Sequence, residues 1–236
     1  MCLELELALK EFVLRYQHQT ILSDAILIEK AKLLASEIHQ EKLHGEAASS
    51  DQTVIDEALP LLHSKCASYP LEKIYNIDET GFFYQTRSNT NHKMYFQIKK
   101  NKEHLSIDLC ANADGSYKLD PLIIGKFAKP RCFKNVNINN LPMKYQNNNK
   151  AWMIITIFQE WLQEFDYQVA RKHGSQRVLL LLDNCSSHKL QGLVLPYVEV
   201  YFLPPNTTSK IQLMDSGIIM SFKRHYRYFH IHWMLE

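Results

Sequence analysis

The stretch Arg177 to His188, RVLLLLDNCSSH, constrains the fold more than any other. Val178 to Leu182 are apolar without a break, and Asp183 and Asn184 follow at once. A short apolar run with no alternation fits a strand buried on both faces, as in the middle of an α/β sheet. A carboxylate at the carboxyl end of such a strand sits where α/β folds place ligands and metals. Asp-Asn also starts turns and caps helices. Asp183 alone therefore carries no function, and the question is which other acids join it.

The flanking segments supply the rest of an α/β plan. Residues 3–17 have apolar positions at helical spacing, Leu5, Leu9, Phe12, Val13 and Tyr16, and a second helix after Ser23 carries Leu27, Ala31, Leu34 and Ile38. Residues 44–53 are small and polar and form a linker. A third helix over 54–69 is expected to kink or split at Pro60. From residue 71 the period changes. Ile74, Tyr75 and Ile77 form a strand that ends in a turn at Asp78 to Gly81. A weak strand is expected over 94–98 and a clearer one over 104–111, with a hairpin turn at Asn112 to Gly115 and a return strand over 119–125. Residues 129–150 are basic, Asn-rich and irregular, and residues 152–167 are a helix with Phe158, Trp161, Leu162 and Phe165 on one face. A strand over 198–203 ends at Pro204-Pro205, and a last helix starts near Asp215 with Ile218, Ile219, Phe222, Tyr226 and Phe229. Helices, then a hairpin, then alternating strands and helices imply a small helical region followed by a mixed-sheet α/β domain.

Composition excludes several classes. With 46% hydrophobic and 22% charged residues among 236, the chain is globular and long enough for a sizeable core. A net charge of +2 argues weakly against strong non-specific DNA binding. The cysteines, 5 in all, are scattered and never spaced C-x-x-C, which suggests neither a zinc site nor a disulfide framework. There is no signal-peptide pattern at MCLELELALKEF and no apolar run of membrane-spanning length, so an intracellular protein is expected and the sequons at Asn184 and Asn206 are coincidental.

Three acids stand at element ends. Asp78 follows one strand, Asp183 another, and Asp215 opens a helix after a third. Carboxylates that converge at one sheet edge repel unless a cation neutralises them. Oxygen-rich sites of this type suit Mg²⁺ or Mn²⁺, and two such ions can clamp the attacking and leaving oxygens of a phosphodiester.

The segments IYNIDETGFFY, HLSIDLCANADGSYKLDPLIIGKFAKPRCF, LLLLDNCSSH and VYFLPPNTTSKIQLMDSGIIMSFK, in that order, resemble the successive blocks of the DDE superfamily endonuclease domain. The similarity is to the pogo and Tigger-type transposases, the group that includes centromere protein B and jerky-like host proteins. It runs from about residue 70 to the C-terminus. The resemblance implies a ribonuclease H-like mixed sheet flanked by helices, with Asp78, Asp183 and Asp215 as catalytic and metal-binding residues, Mg²⁺ or Mn²⁺ as cofactor, DNA as partner, a possible homo-oligomer and a nuclear location. It also implies three parts: a partial centromere protein B-type helix-turn-helix over 1–43, a linker and helix over 44–70, and the DDE-type domain over 71–236. LELALKEFVLRYQHQT and LSDAILIEKAKLLASEI resemble the first two helices of that DNA-binding unit, but Gln40-Glu41-Lys42-Leu43 runs straight into His44-Gly45-Glu46-Ala47 with no groove-reading segment between. The rival expectation is therefore a catalytically silent, host-retained nuclear scaffold.

Residues near the acids have expected roles of their own. Glu79 points to the face opposite Asp78 and is structural. Asn184 and His188 either orient a ligand or stabilise the turn. Thr207, Thr208 and Ser209 either touch a DNA backbone or close a loop. Asp108, Asp114 and Asp120 are assigned to the hairpin and its turn. Lys99, Lys100, Lys102, Lys126, Lys129 and Arg131 make a locally basic face.

Overall fold

A computed structural model describes residues 52–83, 104–204 and 214–226 of the chain. The two N-terminal helices expected over 3–17 and 23–38, the weak strand over 94–98, Lys99, Lys100, Lys102 and Thr207 to Ser209 lie outside the described residues. The central element is one mixed sheet of six strands: β1 (Ile74–Phe83), β2 (His104–Asn112), β3 (Leu122–Gly125), β4 (Lys144–Asn147), β5 (Val178–Leu182) and β6 (Val198–Phe202). The spatial order is β4-β3-β2-β1-β5-β6. β2 is antiparallel to both its neighbours, and the pairs β3/β4, β1/β5 and β5/β6 are parallel.

β5 is buried at every position because it lies between β1 and β6 with a helix over each face. Helix α2 (Ile155–Lys172) covers one face. It buries Ile157, Phe158, Trp161, Leu162, Phe165 and Val169, a stripe at helical spacing, against Tyr75, Ile77, Cys110, Leu180 and Leu182. The aromatic rings interlock there: Trp161 stacks on Phe165 at 5.1 Å between centroids, and Tyr75 meets Phe165 edge-on at 5.2 Å. Helix α1 (Gln52–Cys66) takes the other face, where Leu62 packs on Ile74, Leu179, Leu181 and Leu203. Its end is fastened to β6 by Lys65 and Tyr69, which both donate to the Glu199 carboxylate. Further along that face, Phe222 and Tyr226 from the helix over 219–226, here α3, pack on Phe82, Ile107 and Ile123.

Four expectations are corrected. α1 runs through Pro60 as one helix, because Ile55, Ala58 and Leu62 on its buried side bind both halves to the same core. The segment after residue 129 is not wholly irregular. It supplies β4, a short polar strand with half-buried or exposed residues, added in parallel to the outer edge of β3. The return strand begins only at Leu122, after an isolated bridge between Ala111 and Lys118, because Pro121 lacks the N–H a ladder needs. Asp114 does stabilise the turn, accepting from Ser116 N at 3.0 Å and Ser116 Oγ at 2.7 Å. Asp108 does not belong to it.

Asp108 lies inside β2, only 3% exposed and directly opposite Glu79. Its Oδ2 and the Glu79 Oε1 are buried with no hydrogen-bond partner. Like charges facing each other across a ladder are destabilising. Burial above all, and then the Glu79 charge, raise the Asp108 carboxyl well above the usual carboxylate range, while His188 pulls the other way. The folded protein therefore holds a proton that the unfolded chain releases near pH 4. Stability conferred by that proton is complete below the unfolded value and is lost as pH rises through the folded one, by about 1.4 kcal/mol per pH unit. Urea unfolding should show Asp108→Asn more stable than wild type at pH 7, with a smaller gap at pH 5. A gap that does not change with pH would contradict the assignment.

Candidate active site

Asp78 stands in the middle of β1, not at its end as the Asp-Glu-Thr-Gly turn signal suggests. β1 continues to Phe83 because it pairs with β2 without interruption from Tyr75–Asn112 to Phe83–His104. The other neighbour of β1 is β5. The parallel ladder pairs Ile74 with Leu179, Tyr75 with Leu180 and Asn76 with Leu181. The paired register ends at Asn76 and Leu181, two residues before Asp78 and Asp183 respectively. Neighbouring strands are about 4.8 Å apart. Alternation also fixes the face. Ile74 packs with Leu179 and Leu181, so Asn76 and Asp78 follow on the side covered by α1 and α3. Asp183 lies one residue past β5, and its carboxylate meets His188, which packs on α2.

Asp215 enters from the chain's last described segment. The structure describes its backbone, in a wide helical turn Met214–Ile218 that is broken at Gly217 (φ 136°) and leads into α3. The Met214 N–H donates to Asn76 Oδ1 at 3.0 Å. Asn76 Nδ2 in turn donates to the Leu181 carbonyl at 3.0 Å. The backbone before Asp215 is thus docked on β1 two residues before Asp78.

Asp183 is held by the loop that follows it. His188 Nδ1 lies 2.8 Å from Asp183 Oδ1 and 3.1 Å from the Asp183 carbonyl. The imidazole is buried and packs on Phe158 of α2, 4.4 Å between ring centroids. Burial by itself would lower the His188 pKa, yet its hydrogen bonds to Asp183 and Cys185 raise it to about 10. The ring is therefore an imidazolium paired with the Asp183 carboxylate. Of the roles expected for His188, its contacts with the Asp183 carboxylate and carbonyl and with the Cys185 carbonyl are those of a residue that stabilises the turn. Asn184 is exposed.

The donor chemistry can be judged from these positions. The donors of Asp78 and Asp183 are carboxylate oxygens on short, rigid side chains. On the face of the sheet opposite Asp78 lie Glu79 and Asp108, each with a buried oxygen lacking a partner. Hard divalent cations such as Mg²⁺ or Mn²⁺ suit oxygen donors in a net-negative setting. A softer set is also present: ligand atoms of Asp183, Cys185 and His188 lie within 4.8 Å of one another. Cysteine spacing alone gave no hint of it, because it joins three residue types across a loop.

Several of these residues escaped sequence reasoning. Asn76 was legible only as a polar residue two positions before Asp78 in an otherwise apolar strand. Cys185 had no signal. Lys126, Lys129 and Arg131, expected to form a basic face, are exposed. They follow β3, which points the same way as β5, so they leave the sheet at the end where Asp183 lies.

Burial would raise the Cys185 thiol, but hydrogen bonds from His188 and Ser187 bring it below its ordinary value, whereas burial raises Cys66 and Cys110. Cys185 should therefore be alkylated by iodoacetamide at pH 7 about tenfold faster than Cys66 or Cys110. His188→Ala should remove most of that advantage, as read by peptide mass mapping. Equal rates at Cys185 and Cys66 in the wild type would contradict the thiol–imidazole contact.

The profile described as "DDE superfamily endonuclease" matches residues 102–236. The human "Jerky protein homolog" is 33% identical over 193 residues, covering 77% of this chain and 34% of the relative. The human "Tigger transposable element-derived protein 7" is 35% identical over 175 residues, 67% of this chain and 32% of that protein. The chain thus spans about a third of the length of these relatives. Among solved structures, "Crystal structure of the Mos1 mariner paired end complex with Mn" aligns with a TM-score of 0.51 at 13% identity, over 92% of this chain and 64% of that one, which shows a shared ribonuclease H-like fold. With the sheet, the family profile and these relatives in agreement, the chain belongs to the DDE superfamily endonucleases, within the group of pogo and Tigger-type transposases and their jerky and centromere protein B relatives.

Proposed function

We propose that this chain is the core of a transposase-derived DNA endonuclease, with Asp78, Asp183 and Asp215 as its acids and Mg²⁺ or Mn²⁺ as its cofactor. The observation that supports the reading is the parallel register of β1 and β5, in which Asn76 pairs with Leu181, two residues before Asp78 and Asp183. The Met214 N–H, one residue before Asp215, donates to Asn76 Oδ1. When bound, the divalent ions would neutralise the carboxylates and stabilise charge that develops on a phosphodiester during in-line displacement.

The chain's own groups have separable tasks. Asp78 and Asp183 present short oxygen donors from adjoining strands, with little freedom to lose on binding. His188, seated against Phe158, fixes the direction of the Asp183 carboxylate. Lys126, Lys129 and Arg131 provide positive charge for the phosphates of an incoming strand. Nuclear placement is in keeping with DNA as substrate and with relatives named for the centromere, such as the mouse "Major centromere autoantigen B".

A second reading, a catalytically silent nuclear scaffold, is favoured by one observation: His188 already neutralises Asp183. The two readings part in a plasmid-nicking assay. Purified protein with Mg²⁺ or Mn²⁺ should relax supercoiled DNA, and chelation should stop it. Asp78→Asn and Asp183→Asn should each lower the rate by about a hundredfold or more. Nicking that survives Asp183→Asn, or DNA binding indifferent to metal and to all three acids, would favour the scaffold.

A further inference from the structure

β1 carries a buried amide whose two ends both leave the strand. Asn76 is 4% exposed in a strand where its neighbours Tyr75 and Ile77 are apolar and buried. Its Nδ2 donates to the Leu181 carbonyl, two residues before Asp183. Its Oδ1 accepts from the Met214 N–H, one residue before Asp215. Asn76 itself stands two residues before Asp78, on the same face of the strand. One side chain therefore touches all three segments that bear an acid.

We infer that Asn76 is the positioning residue that holds these three segments together, a role whose catalytic purpose rests on the endonuclease reading above. The chemistry is specific to the amide. An amide offers a donor and an acceptor on one rigid planar head. Aspartate keeps the acceptor and loses the donor. Leucine has the same shape and loses both. Serine is too short to span both partners. The Met214 link matters most, because it ties the first residue of the helical turn directly to the acid-bearing strand β1. The break at Gly217 leaves the turn without continuous helical support from α3.

A buried asparagine elsewhere in the sheet supplies the control. Asn112 is 5% exposed and makes hydrogen bonds to Glu72 O, Ser116 Oγ and Tyr117 N. None of these belongs to an acid-bearing segment. Asn112→Leu likewise removes the hydrogen bonds of a buried amide, three against the two of Asn76, and touches no acid-bearing segment.

The test compares Asn76→Leu with Asn112→Leu in the full chain by two measurements. The first is Mn²⁺ affinity by calorimetry, without DNA. Asn76→Leu should weaken it about 10- to 100-fold, the usual effect of removing a group that orients metal ligands, and Asn112→Leu should leave it within about twofold of wild type. The second is amide exchange by mass spectrometry. In Asn76→Leu the peptide over 214–222 should lose protection while the β2–β3 peptides keep it, and Asn112→Leu should show the reverse. If Asn76→Leu does not yield folded protein, Asn76→Ser takes its place. An Asn76 variant with wild-type Mn²⁺ affinity, or with unchanged exchange over 214–222, overturns the inference. A wild type that binds no Mn²⁺ overturns the endonuclease reading instead, and the exchange comparison alone then decides the fastening role.

Discussion

The structure depends on the parallel pairing of β1 and β5. Each strand is covered on both faces, so neither can slide. A shift of one residue would turn Leu180 and Leu182 out of the α2 core and put Leu179 and Leu181 into it. That rigidity fixes β1, which carries Asp78, against the strand that leads into Asp183.

The electrostatics follow from the same packing. The centre of the sheet holds more negative than positive charge: Asp78, Glu79, Asp108 and Asp183 against His188. His188 offsets part of it through the Asp183 contact, and Asp108 offsets another part by retaining a proton. Burial of this many carboxylates near the core carries an electrostatic cost that the His188 contact offsets only in part. That is the setting in which a divalent ion gains most from binding. It also explains how one architecture can serve an active enzyme or a silent relic, because the scaffold tolerates the acids with or without catalysis.

The candidate acids were named from the sequence: Asp183 by the apolar run ahead of it, and Asp78 and Asp215 by the blocks around them. Asp108 was misassigned because its neighbours spell a hairpin, and only the pairing with Glu79 shows it buried in mid-strand. β4 was missed because an edge strand with solvent on one side needs no apolar pattern. His188, Cys185 and Asn76 could not be given roles, since their partners lie in other segments or across a loop.

The sequence by itself determined most element types, the buried central strand and the family, because these rest on local periodicity, residue chemistry and the order of the motif blocks. Only the tertiary structure decided that β1 pairs with β5, that Asn76 reaches the Leu181 and Met214 backbone, and that His188 holds Asp183. Those outcomes depend on register between strands about a hundred residues apart, and register is set by packing on both faces of the sheet at once.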